Sequence, residues 1–227
     1  NADAKLTNLA GGQISVGGAI DVETITRKSG QVVTNTSAIN NAGTLTLAAG
    51  GKIDTLTTIA NSGLIELSGG TLTLDTGIAN AGGTVQVDSV ATLVADAVTI
   101  DGGTLAILGT LELDGTSLIE NGTLNNSGAV NVEGAVEFAN ETVSNSSLGK
   151  IEVFADATLT VDKGSIINNS GNLIVDAHAE MILNDATING GAVKGTGTID
   201  VTGDSTIDSG ATLSVATVTA DAKLTLD

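Results

Sequence analysis

The chain has 227 residues, enough for one sizeable domain or one long repeat stack. It carries 8 Lys and Arg against 26 Asp and Glu, a net charge of −18; a field of that sign repels phosphate backbones and anionic lipid and excludes a basic nucleic-acid surface. Cys and Pro are absent and Gly occurs 30 times, while the only aromatics are Phe138 and Phe154 in a chain that is 41% hydrophobic.

Val, Ile, Leu and Ala must therefore fill the interior, which favours a narrow core over a broad sandwich. Absent Pro suits a backbone whose N–H groups join ladders, and frequent Gly suits tight turns. Without Cys the fold must stand without disulfides. No apolar run is long enough for a membrane-spanning helix, so no membrane insertion is expected.

In chain order, the first stretch repeats loosely. It holds ADAKLT at Ala2–Thr7, the basic pair Arg27–Lys28, expected in a loop, and an Asn-x-Ser/Thr site at Asn35. From Ile39 a unit is clear: an aliphatic residue, an Asn/Gly turn and an alternating strand. It reads INNAGTLTL at Ile39–Leu47, IANSGLIEL at Ile59–Leu67 and IANAGGTVQV at Ile78–Val87. NNSGAVNV at Asn125–Val132 and NNSGNLIV at Asn168–Val175 continue it. The aliphatic markers are Ile39, Ile59, Ile78, Ile100, Ile119, Val143, Ile167 and Ile188. A small-x-aliphatic marker keeps the same beat at Leu72, Leu93, Leu159, Met181 and Leu224.

Within units the period is two, which means strand. In GTLTL, Leu45 and Leu47 share one face, and Thr44 and Thr46 the other. Val175–Leu183 reads as one long alternating strand with His178 on its outward face. ADATLT at Ala155–Thr160 and a second ADAKLT at Ala220–Thr225 place equivalent phrases 153 and 218 residues after the first. A fixed period of this size marks a solenoid. The expected fold is all-β, a single parallel β-helix over residues 1–227 with about ten coils of about 22 residues, each of three short strands. Like then stacks on like, and Asn41, Asn61, Asn80, Asn121, Asn145, Asn169 and Asn189 are the expected turn ladder. The two ADAKLT copies are expected in the same strand of the first and last coils. The chain ends in TLTLD with no polar capping helix. That reads as a piece of a longer repetitive protein, or as ends that self-associate end to end.

The Ile-x-Asn-x-Gly turn followed by TLTL-type strands resembles the right-handed β-helices of bacterial exported proteins: filamentous-haemagglutinin-like adhesins, autotransporter passengers and giant repetitive surface adhesins. The resemblance covers Ile39 onward well and the first 38 residues loosely. It implies a right-handed coil, an extracellular or cell-surface location, and a host or bacterial surface, glycan included, as partner. No translocator, secretion segment or catalytic motif of those families is present.

Candidate sites are few. GGAVKGTGTIDV at Gly190–Val201 approaches the calcium-binding glycine-rich nonapeptide without its repeat, and Asp200, Asp204 and Asp208 recur near turns. They are weak calcium candidates, set against solvated turn carboxylates, and no other cofactor is expected. His178 and Asp156, 22 residues earlier, form a conceivable acid/base pair, but neither a nucleophile nor a basic clamp accompanies them. Thr-x-Thr pairs at Thr44, Thr71, Thr158 and Thr217 resemble ice-binding solenoids but do not recur on every coil. Asn-x-Ser/Thr sites at Asn35, Asn121, Asn125, Asn140, Asn145 and Asn168 arise by chance in an Asn- and Thr-rich chain. The expected function is a non-enzymatic structural or adhesive module, a rigid stalk or extended binding face. Carbohydrate binding or cleavage, or a filament subunit, is the alternative.

Overall fold

The computed structural model describes residues 5–16, 20–21, 38–48, 51–54, 58–208 and 210–227. Among these there is no helix, and the strands pair in parallel as a β-solenoid. Each turn gives one strand to each of three faces. The third face is a ten-strand sheet. The first and second merge into a twenty-strand sheet, because Thr99–Ile107 and Thr116–Asn126 run through the corner between them without a break.

Alternation decides which side chains go inside. Thr44–Leu47 buries Leu45 and Leu47 and turns Thr44 and Thr46 outward, and Leu64–Leu67 and Thr84–Val87 repeat the pattern. Because the pairing is in register, buried residues stack in rows. The first face carries Ile59, Ile78, Ile100, Ile119, Phe138, Val161, Leu183 and Val201. The third carries Leu72, Leu93, Leu111, Val130, Ile151, Leu173 and Val193. β-branched residues suit these positions because a pleated surface fixes their one favoured rotamer. At some corner positions only glycine fits: a Cβ on Gly63 would overlap the Gly43 carbonyl oxygen of the turn below.

The stack has about nine turns of roughly 20 residues. The phrase spacing gives about 22 because the first step, Asn8 to Asn41, is 33 residues. Later steps run from 18 residues, Leu93 to Leu111, to 24, Asn145 to Asn169. At the usual strand spacing, the ten strands of the third face span about 45 Å.

The asparagines form two buried ladders at two different corners. Asn8, Asn41, Asn61 and Asn80 stand between the first and second faces, each Nδ2 donating to the next Oδ1 at 2.9, 2.8 and 2.7 Å. Asn126, Asn145 and Asn169 stand between the second and third, linked at 2.8 and 2.7 Å. In both ladders the Asn Oδ1 also accepts a backbone N–H two residues on, from Gly63 to Asn61 and from Gly171 to Asn169. That closes an Asx turn and explains the Asn-x-Gly motif. Asn121 and Asn189 lie on separate, exposed ladders: Asn140 donates to Asn121, and Asn189 to Asn168. Asn8 and Asn126 were missed in the sequence.

The handover between corners corrects several expectations. Ile119 pairs with Phe138, whereas Val143 pairs with Leu124 on the second face. The marker series therefore changes face after Ile119, since the same Asn-Ser-Gly turn moved to the next corner. The second marker also mixes faces: Leu72 and Leu93 are on the third, Leu159 and Met181 on the first, and Leu224 on the second. The ADAKLT copies are likewise not equivalent. Lys5–Asn8 is a first-face strand, while Leu224–Leu226 is a second-face strand. A turn followed by small-x-aliphatic satisfies any face, so the phrase carries no face label. Finally, Val175–Leu183 is not one strand. It breaks at a corner between Asn172–Val175 and Glu180–Asn184, where Ala179 N–H bonds the Asp176 carbonyl at 3.0 Å.

Candidate functional site

Chemistry concentrates at one corner between the first and second faces. There the inward position is Gly122 in one turn, Glu141 in the next and Ser165 in the one above, as the register Thr123 to Thr142 to Ile166 requires. Glu141 is 2% exposed. Its Oε2 reaches down over the side-chain-free Gly122 and accepts that N–H at 2.8 Å. The Glu141 N–H donates to Ser165 Oγ at 2.9 Å, and that hydroxyl donates to the Phe138 carbonyl at 3.0 Å. Burial pushes the Glu141 carboxyl up from 4.5 to about 7, the Gly122 bond only partly offsetting it. On the outside of the corner, Asn121 Nδ2 donates to Asp101 Oδ1 at 2.9 Å and Asn140 Nδ2 donates to Asn121 Oδ1 at 3.0 Å. Asn121 and Asn140 are both left-handed, at φ 59° and 50°, a conformation Asn tolerates.

Because the folded pKa of Glu141 is raised, its contribution to stability is intact below about pH 4.5 and is lost as pH rises through about 7. Burial first, then neighbouring acids, pushes Glu133 and Asp162 in the same direction. Glu141→Gln is therefore expected to match the parent near pH 4.5 and to exceed it by roughly 1–2 kcal/mol near pH 8. Urea titrations of both chains at the two pH values check this.

Charge is segregated around the rod. At the exit of the third face Asp96 pairs with Asp114, and Glu133 follows in the next turn, its N–H on the Leu113 carbonyl. Glu112 stands beside them and adds to the rise of Glu133. The second face is the opposite. Its outward rows are Thr84, Thr104, Thr123, Thr142, Ile166, Thr187 and Thr206, and Gln86, Ala106, Asn125, Ser144, Asn168 and Asn189. Over these turns neither row carries a charge, and the second row meets carboxylates only at its two ends, Glu66 one turn below Gln86 and Asp208 one turn above Asn189. The Thr row was invisible as Thr-x-Thr pairs, since its members are equivalent across turns rather than adjacent in sequence.

Asp200, Asp204 and Asp208 are distributed over a first-face strand, a corner and a second-face strand. Asp200 accepts from Thr219 Oγ1 and Asp204 from the Lys223 N–H. Among the described residues no three His, Asp or Glu gather as a metal-holding group. The glycines of Gly190–Val201 serve the stacking instead: at Gly195, φ 133°, a Cβ would overlap the Val175 carbonyl oxygen. Asp156 and His178 do occupy equivalent corners of successive turns, with φ 67° and 68°. His178 is thus a turn residue, not a strand residue, because the chain needs a left-handed corner there. Arg27, Lys28 and Asn35 lie outside the described residues.

No family model, curated protein or solved structure matches the chain.

Proposed function

We propose that the chain is a non-enzymatic structural module, a stiff β-helical stalk within a bacterial extracellular or cell-surface protein. The observation that carries this reading is the unbroken register. The same buried rows pass from turn to turn along all three faces, so each turn is clamped by its neighbours and the stack resists bending. The segregated surface adds to it. Carboxylates keep acidic rods apart, and the neutral stretch of the second face between Glu66 and Asp208 is where a host or bacterial surface, glycan included, approaches at low electrostatic cost.

That face also favours a second reading, carbohydrate binding along the rod. A panel of neutral and charged polysaccharides and bacterial surfaces, with and without calcium, separates the two while light scattering records mass. A stalk gives a concentration-independent mass and no saturable binding. Saturable binding to one neutral glycan, abolished by Asn125→Asp with Asn168→Asp, contradicts the passive stalk and makes the second face a ligand site.

A further inference from the structure

The sequence contains two Asn-Gly dipeptides, Asn121–Gly122 and Asn189–Gly190. Glycine after asparagine leaves the backbone nitrogen open to attack the side-chain amide, since no Cβ shields it. The two sites differ in what holds that nitrogen's proton. Gly190 N–H donates to the Asp208 backbone carbonyl at 2.8 Å, a group that cannot take a proton. Gly122 N–H donates to the Glu141 carboxylate at 2.8 Å, a group that can. A carboxylate lifted to about 7 is also a stronger base than an ordinary one.

We propose that Asn121–Gly122 is a self-modification site, at which Glu141 acts as general base for deamidation of Asn121. Glu141 Oε2 takes the Gly122 amide proton, and the nitrogen bonds to Asn121 Cγ. The Cγ–Nδ2 bond breaks, and ammonia leaves with the proton that Glu141 returns. The resulting five-membered succinimide takes up one water and opens to aspartate or isoaspartate. One water enters, one ammonia departs and the carboxylate is regenerated. Asn121 is exposed, so both have a path. Ring closure requires the Asn121 amide to leave Asp101 and Asn140, which makes the reaction slow. The product places a new negative charge against Asp101 and loosens the corner.

The test is ageing of the intact chain at about pH 8, where Glu141 is mostly ionised, with peptide mapping for a gain of about one dalton and for isoaspartate. Conversion at Asn121 should outpace that at Asn189 by about tenfold, and Glu141→Gln should slow Asn121 by about tenfold while leaving Asn189 unchanged. Asn189 is the internal clock: a variant that merely loosens the fold accelerates both sites. Where Glu141→Gln fails to fold, the ratio of the two sites in the parent chain decides. Equal rates, a faster Asn189, or an intact Asn121 overturns the proposal, as does a folded Glu141→Gln that converts at the parental rate.

Discussion

Phe138→Ala is expected to lower stability by about 3–5 kcal/mol, the usual cost of emptying an aromatic site in a packed core. Phe138 is fully buried and is among the largest such side chains described. It occupies the inward row of the first face between Ile119 below and Val161 above. Those neighbours belong to separate turns held by backbone ladders, so they cannot collapse into the space without breaking register. Phe138→Leu keeps much of the volume and is expected to cost about 1–2 kcal/mol. Denaturant midpoints of the two variants measure both. A loss below about 1 kcal/mol for Phe138→Ala would mean that the ring is not enclosed between the two turns.

Asn145→Ala is expected to cost about 2–3 kcal/mol, although it removes only a few atoms. Asn145 accepts from Asn126 at 2.8 Å and donates to Asn169 at 2.7 Å and to the Asn172 carbonyl at 3.2 Å. All three ladder residues are buried, so water does not replace the missing partner. Asn189→Ala provides the contrast. Its Nδ2 bonds Asn168 at 3.0 Å on the outward side of the same face two turns on, and its loss is expected to stay below about 0.5 kcal/mol. Equal effects at the two positions would show that burial is not what gives the ladder its value.

Architecture was legible in the sequence because stacking makes each turn obey the same constraint. Alternating Leu and Thr in Gly43–Leu47 named the inward residues, and Ile39, Ile59, Ile78, Ile100 and Ile119 fell in one row. What was not legible was which corner a turn motif belongs to. Asn-x-Gly closes an Asx turn wherever the coil bends, so the motif slid from one corner to the next without changing its letters. The left-handed corner at His178 was hidden for a similar reason. Small alanines on either side kept the apparent period of two running through a turn. Glu141 left no signal of its own. An acidic residue in Asn-Glu-Thr reads as a solvated turn, and only the register shows that it sits over Gly122, whose N–H its carboxylate accepts. The neutral stretch of the second face also needed register, since its Thr residues stand about 20 positions apart.

Because the chain has no Cys, pairs of spin labels can be placed without background. Labels at Thr123 and Thr206, Thr104 and Thr206, and Thr84 and Thr206 span four, five and six register steps along the second face. Electron–electron distance measurement on the three pairs tests the stiff stack most directly. The rod requires narrow distributions whose means rise by about 4.8 Å per added turn, from about 19 to about 29 Å before the label tethers are counted. Distances that fail to rise in step, or distributions that broaden from pair to pair, would contradict it.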